Sequence, residues 1–178
     1  MRGLILVLAL LTGGAQAFPG MNQAGEDPAL QRFVQLTFPQ ELDNIEVKDL
    51  EGQPIPLSRY KGKVVVLNLW ATWCPPCVRE LPSLARFRSK LEQQGAVVVP
   101  VAIDHDPAVV APFLKELGLE SFSTMYDTTN AVGQVLPTDL VPATFILNEQ
   151  GQLVAFVRSF VDWDNPKVQQ LIEKYLTQ

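Results

Sequence analysis

The sequence predicts an α/β domain built on a mixed sheet with helices on its faces, and three observations carry that prediction. Val64 to Trp70 and Ala96 to Ile103 are nearly continuous apolar runs rich in valine, the pattern of strands buried on both faces. Between them, Cys74 to Gln94 places Leu81, Leu84, Ala85, Phe87 and Leu91 at helical spacing, and Gly95 supplies the stop. Further on, Ala143 to Leu147 and Gln152 to Ser159 flank Asn148-Glu149-Gln150-Gly151, a strong hairpin signal. A helix between two parallel strands, followed by an antiparallel pair, gives a mixed sheet.

The remaining elements follow in chain order. Residues 1–17 combine Arg2, an apolar run from Leu4 to Leu11 and small residues at Ala15 and Ala17, the layout of a signal peptide cleaved after Ala17. The run is shorter than the roughly 20 residues that span a bilayer, which makes an uncleaved anchor the weaker alternative. Residues 18–37 read as a flexible leader and residues 38–178 as the folded domain. Ile45 to Asp49 and Pro54 to Leu57 flank Glu51-Gly52-Gln53 and predict a leading hairpin, followed by one helical turn over Ser58 to Gly62. Pro107 to Leu117 predicts a helix closed by Gly118, Ser121 to Tyr126 a short strand, and Thr128 to Leu136 a short helix. Asn165 to Tyr175 closes the chain as a helix, with Trp163 as a packing anchor and Asp164 or Asn165 as the cap.

At 178 residues, 47% of them hydrophobic, the chain can bury one substantial core. Its 14 basic and 19 acidic residues include no basic run suited to a phosphate backbone, so nucleic acid is excluded as an expected partner. Signal cleavage would deliver a soluble, acidic protein to an oxidising compartment. There the two cysteines, Cys74 and Cys77, can form a disulfide. A bridge spanning so short a loop would stabilise the fold little, so redox chemistry explains the pair better than stapling. Zinc is a poor alternative, because with His105 as the one histidine the chain lacks four Cys/His ligands. Asp104-His105-Asp106 reads as a polar loop rather than a metal cluster.

Cys74 falls where a buried strand gives way to a helix, and its sulfur is expected near the helix N-terminus. Unpaired N–H groups and the positive end of the dipole there favour the thiolate, placing the Cys74 pKa below the free value of about 8.5. Pro75 and Pro76 suit a first helical turn, and the N–H groups of Cys77 and Val78 are the next donors able to point at the sulfur. The exposed Cys74 is the expected nucleophile and the more covered Cys77 the resolving thiol. Glu80 lies three residues after Cys77 on the same helix face, where a partly buried carboxylate could exchange a proton with it; a solvated helix glutamate is the alternative. Trp73 is expected beside the cysteines in contact with substrate, or else as a structural ring.

WATWCPPC after a valine-rich strand, then Glu80-Leu81-Pro82 and Val141-Pro142-Ala143-Thr144-Phe145 before a strand, resembles the thioredoxin superfamily. Within it the chain is similar to the TlpA-like group of exported thiol-disulfide oxidoreductases, which includes the ResA and cytochrome c maturation reductases. The resemblance implies a thioredoxin-like fold with an N-terminal β-hairpin extension, no cofactor and no metal. It also implies a cis Val141-Pro142 bond beside the CxxC turn, with Pro137 as the rival position, and a substrate surface formed by Trp73, Pro76, Val141 and Pro142. ResA-like members carry a functional glutamate at the place of Glu80. Asn68 departs from cytoplasmic thioredoxin, which has a buried aspartate there.

The resulting expectation is a monomeric periplasmic enzyme that reduces disulfides in client proteins, apocytochrome c among the candidates, and is recharged by a membrane thiol donor of the Dsb type. An oxidant or isomerase of the same fold is the alternative. A peroxiredoxin-type peroxidase is less favoured, since that chemistry expects threonine where Ala71 stands. A copper-delivery protein would need wider cysteine spacing and a liganding histidine.

Overall fold

Hydrophobic alternation along the central strand divides the molecule into two cores. The computed structural model describes residue 28 and residues 30–136 and 138–177. The expected signal peptide at 1–17, most of the expected leader, and Pro137 lie outside the described residues. The strands are β1 (Val34–Gln40), β2 (Glu46–Lys48), β3 (Pro54–Pro56), β4 (Val65–Trp70), β5 (Val97–Ala102), β6 (Met125–Tyr126), β7 (Ala143–Leu147) and β8 (Leu153–Val157). The helices are α1 (Pro75–Gln93), α2 (Val110–Glu116), α3 (Ala131–Val135) and α4 (Pro166–Tyr175).

The described strands form one sheet in the order β1-β8-β7-β4-β5-β6-β2-β3. β5 lies parallel to β4 and to β6, whereas β7 runs antiparallel to β4 and β8 antiparallel to β7. This is the mixed sheet the pattern predicts, and the leading hairpin β2–β3 joins it antiparallel to β6. Every residue of β4 is buried. Val66 and Trp70 face a core filled by Leu81, Leu84, Phe87 and Leu91 of α1, Val110 and Leu114 of α2, and Val168, Leu171 and Ile172 of α4. Val65, Leu67 and Leu69 face the other core with Ile45, Val47 and Leu57 from the hairpin region and Val132 beside it. Asn68 therefore interrupts the α1-facing row of β4, on the same side as Val66 and Trp70.

One expectation is corrected and one alternative is decided. The leader was expected to reach residue 37, but a single 3-10 turn over Leu30–Arg32 leads into β1, which pairs antiparallel with β8 through Val34 opposite Phe156. Val34, Leu36 and Phe38 alternate with Gln35 and Thr37, a strand pattern that the leader expectation passed over, and six of the seven residues of β1 stay exposed at the sheet edge. The candidate cap of the last helix resolves to Asn165, whose side chain accepts from Lys167 N, while Asp164 pairs with Arg86 at 2.6 Å. Trp163 is fully buried and stacks on Phe87 with ring centroids 5.5 Å apart. No helix among the described residues is long and apolar enough to cross a membrane.

Candidate active site

The turn from β4 into α1 places both cysteines at the end of the buried central strand. Cys74 is the N-cap of α1, with Pro75 and Pro76 in the first turn, where their missing N–H groups leave no helical bond unmade. The Cys74 sulfur accepts from the backbone N–H of Cys77 at 3.3 Å, closing the cap. Val78 was the second expected donor, but its N–H goes to the Cys74 carbonyl instead, at 3.1 Å, as the regular helical bond. Cys74 and Cys77 form a disulfide with Cα atoms 5.3 Å apart. Cys74 is 4% exposed and Cys77 1%, so both residues are buried in this oxidised state and the expected exposure of Cys74 is not found. Capping and disulfide bonding draw the Cys74 sulfur toward the helix, which the expectation of an exposed nucleophile did not include.

Asp104 anchors the loop ahead of Cys74. Its buried carboxylate accepts from the Thr72 hydroxyl at 2.6 Å and from the Thr72 N–H at 3.2 and 3.3 Å to its two oxygens. Trp73, between Thr72 and Cys74, is 61% exposed and points away from the core. It borders a cavity of about 330 Å³ shared with Leu69, Ile103, Asn130, Leu140 and Val141. Leu140 is also exposed, so two large apolar side chains flank this cavity. The Val141-Pro142 bond is cis. Pro142 directly precedes β7, whose Ala143 pairs with Leu69 of β4. Pro76 is exposed in the first turn of α1.

Glu80 is 1% exposed, which removes the solvated reading of its side chain. Its Oε1 accepts from Asn68 Nδ2 at 2.8 Å and its Oε2 from the Val161 N–H at 2.9 Å. The indole N–H of Trp163, outside hydrogen-bond geometry, also favours the charged form, less than the Val161 N–H but more than Asn68. Desolvation outweighs these contacts and raises the carboxyl from 4.5 to about 7. A glutamate poised near neutrality, one turn beyond Cys77, is suited to taking and returning a proton. Asn68 also donates to Thr144 Oγ1 at 3.0 Å, so β4 and the segment at Val161 meet the carboxylate directly and β7 is linked to it through Asn68.

Sequence reasoning missed three of these groups. Asp104 was read as part of a polar loop; its position directly after a buried strand was the available signal. Asn68 was noted only as a departure from thioredoxin, although a lone amide in an apolar strand requires partners. Val161 acts through its backbone and leaves no mark in the sequence. His105 is exposed, and no group of three or more His, Cys, Asp or Glu residues able to hold a metal occurs among the described residues.

Residues 30–172 match the protein family described as Redoxin. The thiol-disulfide oxidoreductase ResA of Bacillus subtilis (strain 168) is 35% identical over 114 residues, which cover 64% of this chain and 63% of that protein. ResA of Halalkalibacterium halodurans is 34% identical over 111 residues, covering 62% of each. The match thus spans less than two thirds of either relative. Among solved structures, a secreted thiol-disulfide isomerase from Corynebacterium glutamicum superposes with a TM-score of 0.72 at 22% identity, covering 86% of this chain and 96% of that one, and shares its fold.

Proposed function

Because the chain belongs to the Redoxin family, we propose that it is an exported thiol-disulfide oxidoreductase that reduces disulfides in client proteins. The observation that carries this reading is the Cys74–Cys77 disulfide at the N-terminus of α1, with the Cys77 N–H directed at the Cys74 sulfur. In the reduced enzyme the same N–H and the helix dipole favour the Cys74 thiolate. That thiolate attacks a client disulfide, forming a Cys74–client S–S bond and releasing the other client sulfur as a thiolate. Cys77 then gives up its proton and attacks the Cys74 sulfur, expelling the second client thiolate and forming the Cys74–Cys77 bond seen here. Two electrons pass to the client, and the buried Glu80 takes the Cys77 proton. The client approaches across Trp73, Pro76, Val141 and Pro142.

Finer assignments belong to the same proposal. The secreted neighbour supports export, and we place the mature chain in the periplasm after removal of residues 1–17. A membrane thiol donor of the Dsb type would return two electrons to the disulfide, and apocytochrome c cysteines are suitable clients. The enzyme acts as a monomer, without metal or cofactor. Trapping tests the reading: Cys77→Ser should accumulate client mixed disulfides through Cys74, identifiable by mass spectrometry, and Cys74→Ser should accumulate none. Capture by Cys74→Ser alone would reverse the two roles, and capture by neither would defeat the proposal. Equilibration with glutathione sets the direction, since a strongly oxidising potential would turn the proposed reductase into an oxidant.

A further inference from the structure

The carboxylate of Glu80 is held by two donors of different kinds. Val161 donates from the backbone at 2.9 Å and cannot reverse its polarity, whereas Asn68 donates from a side-chain amide at 2.8 Å, which can turn over. When Glu80 is neutral, its own O–H needs an acceptor, yet both oxygens already face donors. Asn68 Oδ1 is the nearest remedy on the amide itself, and it is buried without a hydrogen-bond partner. Thr144 Oγ1 now accepts from Asn68 Nδ2 at 3.0 Å, and a hydroxyl can donate as readily as it accepts.

We infer that Asn68 is a positioning residue that turns with the state of Glu80: Nδ2 donates to the carboxylate, and after rotation Oδ1 accepts from the neutral carboxyl, with the Thr144 hydroxyl reversing to hold either pose. Each pose leaves one buried amide atom without a partner, Oδ1 in the first and Nδ2 in the second, so the surrounding core does not lock either. Burial brings the Glu80 carboxyl to about 7, and both forms are therefore populated near neutral pH. The groups meeting Glu80 are Asn68 from β4, the Val161 N–H and the Trp163 indole, while Cys77 precedes it by three residues on α1. Asn68, Thr144 and Trp163 carry no charge. Arg79, its neighbour on α1, lies over the Phe160 ring, 4.3 Å from the centroid. A thioredoxin-type aspartate at position 68 could itself carry the proton; the amide instead hands polarity to Glu80 without ionising.

The inference rests on the role proposed for Glu80, but its readouts use the full oxidised chain without client. Failure of mixed-disulfide trapping would thus leave them standing. In a ¹⁵N-labelled sample the Asn68 side-chain amide, assigned by its loss in Asn68→Leu, should move between pH 5 and 9. Its midpoint should equal that of the Glu80 carboxyl carbon, and the movement should vanish in Glu80→Gln. Amide resonances that stay fixed while the carboxyl titrates would overturn it. Urea unfolding of Asn68→Leu and Thr144→Val supplies a second measurement. An amide serving both forms predicts destabilisation at pH 5.5 and pH 8.5 alike, with the Glu80 midpoint nearly unmoved. A donor-only amide instead predicts loss confined to the higher pH and a Glu80 proton affinity raised about tenfold, one pH unit, and that outcome refutes the turning amide.

Discussion

Replacing Glu80 by glutamine should abolish a pH dependence of stability that the burial of this carboxyl imposes. The unfolded chain releases the Glu80 proton near 4.5, the folded chain only near 7. Below 4.5 both states hold the proton, and the neutral carboxyl's contribution to stability is fully present. Between 4.5 and 7 the folded state binds more protons than the unfolded one, so stability falls as pH rises, and above 7 the contribution is lost. The gap between those two values corresponds to about 3 kcal/mol. Glutamine keeps the size and polarity of the neutral acid but cannot ionise. Urea unfolding of both proteins with the disulfide intact, at intervals from pH 4.5 to 8.5, isolates this one group, because every other titration cancels in the difference. The Glu80→Gln protein should gain about 3 kcal/mol on the wild type across that range. Curves that stay parallel within about 0.5 kcal/mol would show that Glu80 ionises as freely in the fold as outside it, and the proton-exchange role would lose its basis.

Asp104→Ala should cost about 2–3 kcal/mol in urea unfolding by stranding the Thr72 N–H and hydroxyl, while Asp104→Asn, which keeps one acceptor oxygen, should recover roughly half of that. Trp163→Ala removes the ring stacked on Phe87 and should cost about 3–5 kcal/mol, read calorimetrically as a drop in Tm on the order of 10 °C. Trp73→Ala, at a site 61% exposed, should change stability by less than about 0.5 kcal/mol. The same variant should slow reduction of a protein disulfide about tenfold while leaving a small disulfide substrate nearly unaffected, a split seen by comparing the two rates.

The central fold could be read directly because its signals are repetitive: valine-rich strands, a helical apolar stripe in α1 and a Gly-closed hairpin each extend over many residues. β1 escaped although Val34, Leu36 and Phe38 alternate with Gln35 and Thr37, because that short pattern directly continues a polar leader and nothing local shows that it pairs with β8. The cysteines and Glu80 were found because spacing on one helix fixes which side chains share a face. Asp104 and Asn68 act across strands 32 and 12 residues away from their partners, distances over which no local pattern reports contact. The Val161 N–H belongs to every non-proline residue alike, so only the three-dimensional path of the chain could select it.

The outer strands carry a consequence for the proposed role, in which the clients would include incompletely folded chains. Such chains present free backbone seeking a template, and an open sheet edge is one. β3 reads Pro-Ile-Pro, so Ile55 alone retains an N–H there, and β1 carries Pro39 and an irregular register against β8. Both rims are poor nucleation points for accretion of strands. A catalyst that must release each chain it handles is thereby spared becoming the seed of their aggregate.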